Sequence, residues 1–262
     1  MRAAAALTGV SDATQPERDQ PLMLRTWFEH FSGTLTAEAA AQTVREVIAL
    51  LPSDGETTGE MVSIMDRARE VMQDLGRASE GLALEDAFFE RRSGAVWTGT
   101  LEVLVPRGAL WSYASTAPPD NKWSADTAWD DSAWHRAEAP FARHQMMSPA
   151  SGFLTADGAP RPVFFRHLFT VPEGKTFTAL KLRLRCCDGA LILLNGTEVA
   201  AHNLNPDKTG APKGGGKYGH VLLLPAGALR PGLNLLAVTV FPAASRSDIE
   251  TLTFDPVLEA RE

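Results

Sequence analysis

The chain has 262 residues, 44% hydrophobic and 22% charged, with a net charge of −7. This balance excludes a disordered polymer, a collagen-like repeat and a disulfide-dense mini-protein, and the length is ample for a buried core. The acidity argues against nucleic acid or an anionic membrane as a bulk electrostatic partner, and no apolar run reaches the roughly 18 residues of a bilayer span.

Charge divides the chain unevenly. Residues 1–100 hold 9 Arg, no Lys and 16 acidic residues, whereas residues 101–262 hold 16 residues of each sign. Such asymmetry points to two segments of different character. Residues 1–20 are polar and aperiodic, and the opening Met1–Leu7 patch reads as a tail rather than a signal peptide. Residues 21–33 carry an aromatic-rich helical turn ending near Gly33, so 1–33 is expected to be a flexible or partner-ordered arm. Acidic amphipathic helices are expected over 34–95. The first runs from Thr36, a plausible N-cap, to Leu51, with Ala40, Val44, Val47, Ile48 and Leu51 on one face and Pro52 as the stop. The second runs from about Thr58 to Leu75, with Thr57 and Glu60 in capping-box spacing and Gly76 as its C-terminal residue. Its stripe of Met61, Ile64, Met65, Ala68, Val71, Met72 and Leu75 reads first as core and second as an adaptable partner surface. A weaker helical stretch covers Leu82–Arg92.

From about residue 96 the texture becomes β-rich. Apolar runs at 100–105, 163–171, 180–186, 190–195, 220–224, 233–241 and 252–260 are separated by Gly, Pro, Asn and Asp. In 180–186, Leu180, Leu182 and Leu184 alternate with Lys181, Arg183 and Arg185, the pattern of a strand with one face on a core and one toward water. Leu194-Asn195-Gly196-Thr197 is a hairpin signal, and Pro231-Gly232 is a turn between apolar runs. Asp130-Asp131-Ser132 suits a loop whose carboxylates accept backbone N–H groups. Many short strands without intervening helices predict a mainly β fold, an antiparallel sandwich.

Several blocks occur in a telling order: Val105-Pro106 with Gly108 and Trp111-Ser112-Tyr113, then Trp129-Asp130-Asp131-Ser132-Ala133-Trp134, Phe164-Phe165-Arg166, Asp188-Gly189-Ala190 leading into Leu194–Val199, Leu229-Arg230-Pro231-Gly232 with Asn234, and Phe254-Asp255. With these blocks, residues 104–260 resemble the galactose-binding-domain-like jelly rolls that serve as accessory modules of bacterial extracellular proteins. The resemblance implies a jelly-roll β-sandwich, a non-catalytic binding role and an extracellular or periplasmic setting. The chain departs from the family pattern at Cys187-Asp188, where two aspartates are usual, and at Phe241-Pro242, where Val-His is common.

Two loops stand out as candidate sites. Trp111, Trp123, Trp129 and Trp134 crowd one stretch with Tyr113 beside them. Aromatic faces stack on the C–H face of a sugar, so Trp123, Trp129, Tyr113, His135 and Asp131 form a candidate carbohydrate-binding set, set against a reading of Trp111, Trp129 and Trp134 as core plugs. Trp123, in a polar segment, is the best candidate for exposure among them. The loop from Asn203 to His220 is Gly-rich and basic, and Lys208, Lys213, Lys217 and Tyr218 form a candidate partner-docking loop; its spacing is not that of a P-loop.

No catalytic constellation emerges. Serines lack a nucleophile elbow, and the six histidines show no metal-ligand spacing. Adjacent Cys186 and Cys187 point to opposite faces of a strand and read as small packed side chains. No cofactor is expected; a structural Ca²⁺ on loop oxygens is a minor expectation. The leading expectation is a non-catalytic accessory subunit docked to a larger protein assembly through its helices and sandwich loops, with carbohydrate recognition as the rival and an uncharacterised hydrolase-associated domain as a second alternative. An enzyme would need His135, His144 and Asp131 to converge in one pocket.

Overall fold

The structure is a computed structural model that describes residues 15–53, 59–94, 101–142, 162–185, 189–205, 207–208, 220–241 and 253–262. The chain separates into two compact units, residues 1–96 and 97–262. Among the described residues no helix is long and apolar enough to cross a membrane.

The first unit is helical: α1 (Gln15–Phe31), α2 (Ala37–Leu50), α3 (Gly59–Asp74) and α4 (Ala78–Ser93). Thr36 caps α2 by accepting the Ala39 N–H, and the chain leaves the helix just before Pro52. The apolar stripes turn inward: Val44, Val47, Ile64, Val71, Met72 and Phe88 are fully buried. The methionines of α3 are therefore core, and the partner-surface reading of that stripe is overturned. The helices sit close, because a Cβ on Gly81 of α4 would fall 2.9 Å from the Met72 Cβ. The expectation of a flexible arm over 1–33 also changes. Helix α1 starts at Gln15 and sends Met23 and Thr26 into the unit's interior. The proposed capping box at Thr57 lies outside the described residues, as do residues 1–14.

The second unit is a β-sandwich of two antiparallel sheets. One has the order β1–β11–β6–β9, formed by β1 (Leu101–Val105), β11 (Thr253–Arg261), β6 (Ala179–Arg185) and β9 (His220–Leu224), with the short β4 (Phe141–Ala142) paired to the start of β11. The other has the order β3–β2–β5–β10–β7–β8, formed by β3 (His135–Glu138), β2 (Leu110–Ala114), β5 (Val163–Val171), β10 (Gly232–Phe241), β7 (Gly189–Leu194) and β8 (Thr197–His202). Between them lies one apolar core. Leu180, Leu182 and Leu184 face Ile192, Leu236 and Val238 across it, as the alternation in β6 requires. Aromatic rings fill its centre. Phe165 stacks on Phe254 at 4.2 Å, and Trp111 meets Phe254 edge-on at 5.5 Å. Trp111 is thus a core plug.

The outer faces differ from expectation. The alternation in β6 predicts that Lys181 faces water, yet it is only 1% exposed. It lies opposite Glu259 in the β6–β11 register, with Nζ 3.0 Å from the carboxylate, and Arg183 Nη1 lies 3.1 Å from the same group. A cross-strand acid supplies the partner that a buried cation requires.

The Asn-Gly hairpin joins β7 to β8 with both residues at positive φ, 52° and 83°, as a tight primed turn demands. Asn195 also locks the neighbouring turn. Its Oδ1 accepts the Leu235 N–H at 2.9 Å, and its Nδ2 donates to Asn234 Oδ1 at 2.8 Å. The loop joining β2 to β3 carries a four-residue helix, α5 (Lys122–Ala125), which touches this hairpin. A Cβ on Gly196 would sit 2.5 Å from Ala125 Cβ and 3.1 Å from its Cα. Gly196→Ala is expected to lose about 1 kcal/mol to backbone strain and about 1–3 kcal/mol more to the clash. Urea unfolding measures the sum. Gly174→Ala is the control, because Gly174 has a similar φ of 78° but nothing within 4 Å of its Cβ site.

Candidate functional site

The site is built on the outer face of the six-stranded sheet. Register places Arg136 of β3, Ser112 of β2, Arg166 of β5, Ala237 of β10 and Leu193 of β7 side by side on that face. Across it lies the β2–β3 loop, residues 115–134. A second apolar cluster forms beneath the loop, where Trp123, Leu235 and Ala237 are buried and Trp129, Trp134, Phe164 and Leu193 pack around them.

Arg166 pins the loop. Its side chain rises from the middle of the sheet and is 2% exposed. Nη1 donates to the Trp123 carbonyl at 2.5 Å and Nη2 to the Asp126 carbonyl at 3.2 Å. Nε lies 3.4 Å from Asp131 Oδ2, and the guanidinium carbon stands 5.1 Å from the Trp129 ring centre. Burial lowers the pKa of Arg166, while Asp131 and Asp126 act in the opposite direction. An arginine nonetheless stays charged in proteins, so those contacts are obligatory. The loop holds its own shape through Asx turns: Asp120, Asp126 and Asp130 each accept a backbone N–H two residues on, at 2.8–3.0 Å. The Asp130 pKa is lowered by the Ser132 backbone N–H and hydroxyl.

Two clefts flank the loop. One, of about 410 Å³, is lined by Ala114–Pro119, Trp129, Ala133, Trp134 and His135. Trp129 and Trp134 meet edge-to-face at 5.3 Å. The other, of about 320 Å³, is lined by Leu110, Ser112, Asp131, Arg136, Arg166, His167 and Leu168, with Trp111 at its base. Beside it the β2–β5 ladder stops after Ser112–Arg166, and His167 continues it with its ring. His167 Nδ1 lies 2.9 Å from the Leu110 carbonyl, which only accepts, so that nitrogen carries the proton. Burial lowers the His167 pKa, against the raising effect of this hydrogen bond.

The expected carbohydrate set is therefore divided. Trp129 and His135 share the larger cleft. Tyr113 stands 5.4 Å from the His135 ring but leans into the core against Phe141. Trp123 is corrected: it is 6% exposed, because α5 lies on the sheet and turns the indole onto Phe164, 5.4 Å away. Asp131 belongs to the other cleft, so His135 and Asp131 do not converge as an enzymatic pocket requires; His144 lies outside the described residues. Lys208 of the candidate docking loop is ion-paired to Glu198 at 2.6 Å, while Lys213, Lys217 and Tyr218 lie outside the described residues, as do Cys186, Cys187 and Asp188. No metal-holding group of three or more His, Cys, Asp or Glu side chains occurs among the described residues. Trp134, Arg136 and Arg166 were missed. The signal for Arg166 was its place in the run Val163–Val171, where a single buried charge demands partners.

Replacing Arg166 by Leu is expected to free the loop at a cost of about 2–4 kcal/mol, because two carbonyls lose their donor and Asp131 loses an ion-pair partner. Limited proteolysis between residues 115 and 134 and a red shift in indole emission measure the release. His167 gives a pH signature. With its folded pKa below the unfolded value, the unfolded chain binds the extra proton as pH falls through about 6.5. Its contribution is therefore complete above that pH and declines toward the folded pKa. In urea unfolding between pH 8 and 5, His167→Gln is expected to flatten this part of the profile.

No protein-family description matches this chain, and no curated protein does. Among solved structures, it is similar to a mutant of Bacteroides uniformis β-glucuronidase 2, at 22% identity and a TM-score of 0.42, over 62% of this chain and 18% of that one. It is also similar to an uncultured Clostridium sp. β-glucuronidase, at 16% identity and a TM-score of 0.39, over 63% and 30%. A Bifidobacterium dentium β-glucuronidase complexed with coumarin-3-O-glucuronide gives 14% identity and a TM-score of 0.41, over 63% and 31%. This chain spans less than a third of the length of each of the three.

Proposed function

We propose that the chain is a non-catalytic binding module whose sandwich takes a carbohydrate in the cleft beside the β2–β3 loop. The observation that carries this reading is the pair of half-buried indoles, Trp129 and Trp134, set edge-to-face in a 410 Å³ cleft with Ser115, Thr116 and His135 around them. A sugar ring offers an apolar C–H face and a polar rim. Indole walls match the first, and a few hydroxyl and imidazole groups match the second. The Arg166 guanidinium stands 5.1 Å from the Trp129 ring centre and bonds the loop that carries it, which supports a preformed surface that costs little to order on binding. The jelly-roll, galactose-binding-like assignment of the sandwich belongs to this proposal.

The accessory-subunit reading is compatible with the same module. The helical unit consumes its apolar stripes internally, so docking there would be polar, through charged groups such as the Arg45–Glu38–Arg77 network on its surface. This reading is tested by the mass of the native assembly.

A glycan array with the full chain tests the main reading, followed by tryptophan-fluorescence titration of each hit. Trp134→Ala is expected to weaken binding by about tenfold or more, and His135→Ala, at an exposed position, to change affinity while leaving the far-UV spectrum intact. Absence of any glycan hit, or unchanged affinity in both variants, overturns the proposal.

A further inference from the structure

The smaller cleft differs in chemistry from the indole cleft, and its properties are independent of the carbohydrate reading. Arg136, Ser112 and Arg166 are cross-strand neighbours on one face. A serine between two arginines leaves a gap where a longer side chain would fill it, and the cleft of about 320 Å³ opens there. Asp131 reaches in from the loop and bridges the pair, with Oδ1 3.3 Å from Arg136 Nη2 and Oδ2 3.4 Å from Arg166 Nε. Two guanidinium groups face the Asp131 carboxylate, and the Asp126 carboxylate also acts on Arg166 from the loop. Burial disfavours the charged form of His167, so the imidazole adds no further positive charge. Glu138, the acid across from Leu110 on β3, is not among the residues lining the cleft.

The two arginines are unequal. Arg166 is consumed by the loop, while the Arg136 side chain is 60% exposed and engages Asp131 through one of its Nη atoms. A planar guanidinium fork with free donors is shaped for a carboxylate. In the next row along the sheet two leucines stand beside Glu138 of β3. Leu110 and Leu168, on the same face, are 54% and 41% exposed and line the same cleft. Large aliphatic side chains left open beside an exposed guanidinium define a site that is polar at one end and greasy at the other. A free phosphate would leave the leucines wet, and a neutral hydrocarbon would leave the Arg136 donors unanswered.

We propose that this cleft binds a small organic carboxylate with an apolar body, its anion on Arg136 next to Arg166 and its body against Leu110 and Leu168. The cleft's volume suits one small molecule rather than a polymer.

Isothermal titration of the full-length chain with octanoate, 1-octanol and inorganic phosphate tests this. The expected result is saturable octanoate binding with a Kd of about 1 mM or tighter, weakened about tenfold or more by Arg136→Gln and also weakened by Leu168→Ser. Both side chains are exposed, so folding is expected to survive each change, and circular dichroism checks it. Four results overturn the proposal: no saturable octanoate binding, equal affinity for 1-octanol, displacement of octanoate by equimolar phosphate, or unchanged affinity in Arg136→Gln.

Discussion

The outer face of the six-stranded sheet depends on a single buried guanidinium. Arg166 occupies a central strand whose other residues are largely apolar, and it points away from the sandwich core. A permanent charge there must be hydrated or bonded. The β2–β3 loop answers with two main-chain carbonyls, the Asp131 carboxylate and the face of Trp129. Once the loop is held down, apolar residues on the outer face gain a cover, and Trp123, Leu235 and Ala237 leave water together. A polar anchor thereby permits a hydrophobic cluster where a sandwich would ordinarily expose its face.

The same anchor shapes both clefts. One margin of the loop presents Trp129 and Trp134 with hydroxyl and imidazole neighbours; the other presents Asp131 between Arg136 and Arg166, with leucines alongside. Residues 129 and 131 are two apart in the chain and both meet the Arg166 guanidinium, yet they line different clefts. Gly196 supports the arrangement from the far side, since only a residue without Cβ lets the β7–β8 hairpin approach Ala125.

Much of the framework was legible in the chain. Thr36 as cap, the inward stripe of α3, the alternating leucines of β6 and the Asn-Gly turn all follow from local rules of propensity and period, and each appears where those rules put it. The failures share a cause. Trp123 looked solvent-exposed because its sequence neighbours are polar, and Lys181 because it alternates with leucine. Local polarity reports which neighbours lie along the chain, not what covers a face. A better signal was present in the outward positions themselves: Phe164 and Leu168 of β5 and Leu235 and Ala237 of β10 are apolar, which is the pattern of strands covered on a second side.

The sequence by itself determined the division into a helical, acidic first part and a β-rich second part, the sandwich class, the hairpin and the clustering of tryptophans in one stretch. Those features are set by residue spacing and turn chemistry, which act over a few residues. Only the tertiary structure decided which tryptophan is buried, that Asp131 is held by two arginines from different strands, and that His135 and Asp131 part company. Each depends on strand order and register, which bring Arg136 and Arg166 to either side of Ser112 although they lie 24 and 54 residues beyond it in the chain. No local pattern encodes that juxtaposition, because it exists only once the sheet has formed.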